Sequence, residues 1–345
     1  MIALLGSAGF EAALAAEVGG HQRYGPAGPW PGVVWAADDA GDPVFARQKL
    51  PGATVVRGES VGKICRAAFD ATIAAVDIHA ATDVPFTLHA GTPDCDAYAD
   101  LRRRADLVGR QLAACFADRR RRVWRRYAPW TDLDPTSFRR CLVLQAILVQ
   151  RDAALVAAAV PRGLPPGGTD IAPWPAGAAP IADDRRPPSR AYRKLEEAFR
   201  WLGDAPRAND ACVDLGGAPG GWAFTALARG ARVTAVDRAP LVAPAAGHPR
   251  LTALIGNAFT YQPESPVDWL LCDVICEPHR TLALIETWLS QKWCRNLVAS
   301  VKFKGRDGYR ILRELPPLLA RAGCSFARVK QLVHNRNEVT VMARR

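Results

Sequence analysis

At 345 residues with 49% hydrophobic content and a mean hydropathy of −0.05, the chain has room for two or three domains with cores of their own. No apolar run approaches the roughly 18–20 residues that a bilayer-spanning helix needs, which excludes an α-helical membrane protein. The formal charge of +11 and a pI near 9.5 point to a polyanionic partner. An Arg-rich composition explains Arg in place of Lys, but not the excess of bases over acids.

The first residues, "MIALLGSAGFEAALAAEV", read as a strand and a helix. Glu11 and Glu17 interrupt the apolar run and no basic segment precedes it, unlike a secretory signal. Short strands follow to about residue 60; "SVGKICRAAFDATIAAV" reads as a helix and "PFTLHA" as a strand. "YADLRRRADLVGRQLAACFADRRRRVWRRY" is predicted as one long helix, its apolar face marked by Leu101, Leu107, Leu112 and Phe116. "CLVLQAILVQRDAALVAAAV" reads as a pair of buried strands. Near the end of the long helix, Arg119, Arg120, Arg121, Arg122, Arg125 and Arg126 alternate with Trp124 and Tyr127. Guanidinium groups for phosphates and rings for bases would suit RNA, although helix ends often carry bases in any case.

Residues 161–188 are dense in Pro and Gly without helical or strand periodicity and are predicted as a linker or docking loop. The expected division is residues 1–160, 161–188 and 189–345. Past the linker, Ser189 is placed to cap "SRAYRKLEEAFRWL", whose Tyr192, Leu195, Phe199 and Leu202 share a face. Strands then alternate with helices: "ACVDL", a helix from 220, "RVTAVD", "LTALIG", "VDWLLCDV", a helix near 280–291, "NLVASVKF", a helix over 308–322, "FARVKQLV" and "EVTVMA". This alternation predicts a doubly wound, mainly parallel α/β sheet. The nine cysteines show no CxxC pair or finger spacing, so reduced thiols in a cytoplasmic protein without a metal are expected.

In such sheets ligands bind beyond the carboxyl ends of the strands. There the chain reads "CVDLGGAPGGW": Asp214, then Gly216, Gly217, Ala218, Pro219, Gly220, Gly221 and Trp222. A G-x-G-x-x-G dinucleotide spacing is absent, and a carboxylate two residues before the first glycine would repel a pyrophosphate. It suits a cationic amino-acid ligand such as S-adenosyl-L-methionine, which has an ammonium, a sulfonium and no phosphate. Asp237 closes the second strand, placed for ribose hydroxyls, and Asn257 follows the third, placed for the adenine. An NAD-dependent oxidoreductase is the alternative. The chain has seven lysines, Lys49, Lys63, Lys194, Lys292, Lys302, Lys304 and Lys330. Lysine, unlike arginine, can serve as a base when its surroundings lower its pKa.

"SRAYRKLEEAF", "VDLGGAPGGW", "WLLCDVICEP", "SVKFKG" and "NRNEVTV" resemble the successive motifs of FtsJ-like ribose 2′-O-methyltransferases. With "GFEAALAAE", "FARQ" and the Pro-rich connector, the chain is similar to the bacterial 23S rRNA 2′-O-ribose methyltransferase M family. The resemblance implies a Rossmann-like methyltransferase sheet whose last strand is antiparallel, with an N-terminal α+β, THUMP-type RNA-binding region. It implies S-adenosyl-L-methionine as cofactor, held by Ser189, the glycine loop, Asp237, Asn257 and Asp273. The target it implies is a peptidyl-transferase-loop cytidine in 23S rRNA or a large-subunit precursor. Its Lys-Asp-Lys-Glu set falls on Lys194, Asp273, Lys302 and Glu338, with Lys302 as base; Lys304, two residues on along the same side of an extended strand, is expected to contact RNA. Asn257 departs from the family, where many members carry an acid. Methylation of another RNA, or a non-catalytic RNA-binding role in ribosome assembly, are the competing readings.

Overall fold

The computed structural model describes residues 1–19, 24–25, 28–37, 41–79, 82, 84–164, 169–303, 305 and 307–345. The chain divides into two compact units, Met1–Leu164 with Thr169–Ala179, and the C-terminal remainder from Pro180. No described helix is long and apolar enough to cross a membrane.

The N-terminal unit opens with β1 (Ile2–Gly6), α1 (Glu11–Val18), the two-residue strands β2 (Tyr24–Gly25) and β3 (Gly28–Pro29), β4 (Val33–Ala36), β5 (Ala46–Pro51) and β6 (Thr54–Arg57). It continues through α2 (Val61–His79), β7 (Phe86–Gly91), α3 (Arg102–Arg119), α4 (Arg121–Trp124), α5 (Pro135–Arg140), β8 (Leu142–Gln150) and β9 (Ala153–Ala159). The strands form sheets in the orders β4-β1-β5 and β6-β9-β8-β7, with β2 pairing β3. Val108, Leu112 and Phe116 of α3 and Ile64, Phe69 and Val76 of α2 share a buried cluster with the second of these sheets.

Three local readings change here. The long helix is broken at Arg120, whose φ of −135° and ψ of 52° leave the helical region, while its guanidinium reaches Asp77 at 3.0 Å. Its buried face is Ala105, Val108, Leu112 and Phe116, and Leu107 is exposed. The period of 3.6 cannot keep 107 and 112 on one stripe with 116 and 105. Within the Pro/Gly-rich segment, residues 169–179 pack into the N-terminal unit. The Gln48 side chain donates to the carbonyls of Ala172 (3.2 Å) and Trp174 (3.1 Å) and accepts from the Ala172 amide (2.8 Å). Buried side-chain partners thus hold chain that has no periodicity of its own.

The C-terminal unit contains α6 (Tyr192–Leu202), β10 (Ala211–Leu215), α7 (Gly221–Leu227), β11 (Arg232–Asp237), β12 (Leu251–Ile255) and β13 (Val267–Cys272). It ends with α8 (Pro278–Ser290), β14 (Cys294–Lys302), α9 (Leu315–Arg321), β15 (Phe326–Lys330) and β16 (Glu338–Arg344). The sheet order is β12-β11-β10-β13-β14-β16-β15. The pairs from β12 to β14 are parallel, and β16 runs antiparallel between β14 and β15. The α/β sheet with an antiparallel last strand is therefore as the alternation and the resemblance imply. Strand order reverses between β10 and β13, so the loops leaving these strands diverge and open a crevice.

Two helix readings are corrected. Ser189 does not cap α6: the N-cap is Ala191, without a side-chain hydrogen bond. The helix expected over 308–322 is a 3-10 segment, Asp307–Glu314, followed by α9. Pro316 and Pro317 open α9 because a residue without N–H fits only a helix's first turn.

Candidate active site

The crevice is closed at its floor by a tight approach of two strand exits. The Asp273 amide donates to the Leu215 carbonyl at 3.1 Å. A Cβ on Gly216 would come within 3.0 Å of the Val274 backbone, and Gly216 has φ +79°, so only glycine fits both demands. Around it lies a cavity of about 280 Å³ lined by Gly216, Ala218, Asp237, Asn257, Asp273 and Arg280, among others.

Asp237 points both carboxylate oxygens into backbone amides: Oδ2 accepts from Ala218 (3.0 Å) and Oδ1 from Ala239 (3.0 Å). This fixes the carboxylate at the cavity while leaving lone pairs for further donors. Asn257 Oδ1 accepts from the Phe259 amide at 3.1 Å, and the Arg280 guanidinium lies 3.9 Å from the centroid of the Phe259 ring. Sequence patterning did not single out Phe259, Arg280 or Ile275, which also line the cavity. An arginine early in a helix and an aromatic in a loop carry no periodic signal.

The other residues assigned to the cofactor lie elsewhere. Asp214 is fully buried beneath the glycine loop, its carboxylate close to the backbone of Gly217. Burial, with Asp273 and Asp237 nearby, pushes its carboxyl up to about 8, against the Ala223 amide, which favours the anion. Gly217, Pro219, Gly220, Gly221, Trp222 and Ser189 do not line the cavity. Gly221 lets α7 approach Ser189, and Trp222 Nε1 donates to the Ala191 carbonyl at 2.9 Å, so these residues pack α7 against the start of α6.

At the same sheet edge four charged side chains meet, each from a different element. Lys194, in the first turn of α6, contacts Asp273 Oδ1 (3.0 Å) and Oδ2 (2.9 Å), and Glu338 Oε1 (3.1 Å). Lys302, the last residue of β14, contacts Asp273 Oδ1 (3.0 Å) and donates to the Asp273 carbonyl (2.9 Å). Glu338 opens β16 directly opposite Lys302 in the antiparallel register. Burial would raise the Asp273 carboxyl, but Lys194 and Lys302 outweigh it and hold the carboxyl below its ordinary value.

Side-chain exposure ranks the four: Lys194 9%, Glu338 10%, Asp273 14% and Lys302 20%. The three N–H groups of Lys194 are all met by carboxylates. Among the described residues Lys302 has two acceptors, Asp273 Oδ1 and the Asp273 carbonyl, and it is the most open of the set.

Supporting residues were not visible in the sequence pattern. Glu197, fully buried one turn beyond Lys194, accepts from the amides of Val333 (2.9 Å) and His334 (3.2 Å), so α6 holds the loop leading to Glu338. Asn335 Nδ2 lies 3.4 Å from Glu338 Oε1. Among the described residues no group of three or more His, Cys, Asp or Glu could hold a metal ion.

In the N-terminal unit, Arg119, Arg121, Arg122 and Arg125 are exposed. Arg120 pairs with Asp77 and Arg126 is half-buried. Trp124 stacks on Tyr127 at 4.3 Å and 6°, and both pack against the core, so their rings are partly occupied. Lys304 lies outside the described residues.

This crevice and charged set sit in a unit whose residues 187–297 match the family model for FtsJ-like methyltransferases, a match that includes Lys194 and Asp273. More particularly, the chain is 35% identical over 220 residues to "Ribosomal RNA large subunit methyltransferase M" of Alkalilimnicola ehrlichii, covering 58% of this chain and 61% of that protein. It is 38% identical over 190 residues to the protein of the same name in Pseudomonas putida, covering 50% of this chain and 52% of that one. The chain spans about half to six-tenths of the length of the curated relatives it matches. A solved Burkholderia thailandensis 1,6-didemethyltoxoflavin-N1-methyltransferase with bound S-adenosylhomocysteine overlaps at a TM-score of 0.34 and 21% identity, covering 46% of this chain and 79% of that one.

Proposed function

We propose that this protein transfers a methyl group from S-adenosyl-L-methionine to a ribose 2′-hydroxyl of large-subunit rRNA. The observation that carries the reading is the Lys194-Asp273-Lys302-Glu338 set at the edge of a cavity that includes Asp273. The curated relatives, named as ribosomal RNA large subunit methyltransferases M, support the choice of RNA.

The cavity suits the cofactor. Gly216 brings bare backbone to it, and Asp237 presents a fixed carboxylate suited to ribose hydroxyls. Asn257, Ala258 and Arg280, which line the cavity, would flank the base. When bound, the cofactor supplies an electrophilic sulfonium methyl.

The chain's own task is to make a weakly acidic hydroxyl nucleophilic at neutral pH. Lys302 takes the 2′-hydroxyl proton on the lone pair left open when its two N–H groups face Asp273. Lys194 is held between two carboxylates, which fixes Asp273 beside Lys302. Asp273 aligns both amino groups, and Glu338 anchors Lys194 from the strand opposite Lys302. Holding the hydroxyl against the methyl donor supplies much of the rate. The N-terminal unit serves as an RNA-binding, THUMP-type region, with Arg119, Arg121, Arg122 and Arg125 facing solvent for phosphate contacts, and the protein acts in the cytoplasm.

The test is label transfer from S-adenosyl-L-methionine to rRNA from cells lacking this activity. The wild type transfers label to a nuclease-resistant 2′-O-methyl dinucleotide, whereas Lys302→Ala does not. Transfer to a base or to protein, or equal transfer by both proteins, refutes the proposal.

A further inference from the structure

Where β14 ends at Lys302, the ladder with β16 reaches its last registered pair, Lys302 opposite Glu338. The chain then turns away through Phe303 and Gly305. One further backbone bond follows, from the Phe303 amide to the Asn337 carbonyl at 2.9 Å. Beyond it a side chain takes over. Asn337 Nδ2 donates to the Phe303 carbonyl at 2.9 Å and approaches the Gly305 carbonyl at 3.5 Å. Its Oδ1 accepts from the Tyr309 hydroxyl at 2.8 Å, and the Tyr309 ring meets Phe303 edge to face at 5.0 Å. The amide is thus satisfied on both sides, and the two carbonyls and the hydroxyl fix which side is oxygen and which nitrogen.

We infer that Asn337 is a positioning residue for Lys302, an inference that rests on Lys302 being the base of the proposed reaction. Asn337 precedes Glu338 and grips the residue that follows Lys302, so one side chain ties the exit of β14 to the entry of β16, the two strands that carry these groups. Within the site, Asp273 holds the Lys302 amino group through its Oδ1 and its carbonyl. The angle at which the Lys302 lone pair meets a hydroxyl therefore depends on where the backbone of Lys302 and Phe303 sits. Asn337 does not touch the cavity, so its replacement should alter the rate of transfer and leave cofactor binding alone.

The experiment compares Asn337→Ala, Asn337→Asp and Tyr309→Phe in single-turnover transfer to rRNA. Cofactor affinity, melting midpoint and hydrogen exchange of the segment containing the Phe303 amide are measured on the same proteins. Asn337→Ala should slow transfer about 10- to 100-fold, the range expected for a misplaced catalytic group, with cofactor affinity changed by less than about two-fold. Exchange at Phe303 should quicken. Asn337→Asp keeps an acceptor for Tyr309 but sets an oxygen against the Phe303 carbonyl, so it should fall as far as the alanine variant. Tyr309→Phe keeps both amide-to-carbonyl bonds and should lose less than about three-fold, since the grip on Phe303 persists. If Asn337→Ala stays within about two-fold of the wild type, or if losses in all three variants simply track the melting midpoint, the inference is overturned. Absence of transfer by the wild type removes the functional reading, and this inference with it. Active wild type with fully active Asn337→Asp removes this inference alone.

Discussion

Replacing Lys194 with methionine tests the charge balance of the site most severely. Two lysines and two acids meet there, and Lys194 alone touches both acids, at 2.9, 3.0 and 3.1 Å. Methionine conserves length and apolar stem but leaves two carboxylates facing one ammonium. Glu338, with 10% of its side chain exposed, then keeps, among the described residues, the Asn335 amide at 3.4 Å. An exposed ion pair contributes about 0–1 kcal/mol, whereas stranding a buried charge costs about 3–5 kcal/mol. Burial here places Lys194→Met in the second class. At about 2–4 °C per kcal/mol for a unit of this size, the melting midpoint should drop by roughly 6–20 °C. Adding Glu338→Gln removes the stranded charge, so the double variant should be more stable than Lys194→Met alone. Thermal and urea denaturation of the four proteins of this cycle give the coupling. The reasoning is refuted if Lys194→Met melts with the wild type, or if Glu338→Gln adds its own full cost on top.

Three further outcomes follow from particular residues. Gly216→Ala must adopt φ +79° against Val274, so it should cost about 1–3 kcal/mol and weaken binding of S-adenosyl-L-methionine by calorimetry; unchanged affinity would mean the loop does not meet the cofactor. The Asp214 carboxyl, raised to about 8 in the folded protein, holds a proton that the unfolded chain releases near about 4. Its contribution is therefore present below about pH 4 and is lost as pH rises toward about 8. Asp214→Asn should show a shallower fall of stability across that window, and parallel curves in pH-dependent urea denaturation would contradict it. Arg121→Ala with Arg122→Ala should weaken rRNA binding and lower the slope of log affinity against log salt by about 1 for each phosphate that is left without its guanidinium, while single-turnover transfer at saturating RNA stays the same; an unchanged slope would place the RNA on another surface.

Much of the C-terminal unit was legible because its signals are periodic or chemical. Strand and helix alternation specified the sheet, and scarce lysines in an Arg-rich chain drew attention to Lys194 and Lys302, which the structure brings to one carboxylate. The remaining supporting residues carry no periodic signal. Asn335 and Asn337 act through amide hydrogen bonds made only after β14 and β16 pair. Glu197 reads as a helix-surface charge until the loop at 333–334 closes over it. Asp214 stands beside the glycines in sequence, which suggests a ligand contact, but its side chain packs against Gly217 and is fully buried. Ser189 has a capping residue's chemistry but lies too far ahead of α6 to use it. The 169–179 segment becomes ordered through partners such as Gln48, which is 124 residues from Ala172 in sequence.

The most direct measurement is single-turnover methyl transfer to rRNA by the wild type, Lys302→Ala and Lys302→Arg, with cofactor affinity measured on the same proteins. Arginine preserves the positive charge beside Asp273 but does not release a proton. If Lys302 is the base, both variants bind S-adenosyl-L-methionine within about three-fold of the wild type and lose at least about 100-fold in rate, the scale of general base catalysis. Transfer by Lys302→Arg at a rate near that of the wild type would contradict the account.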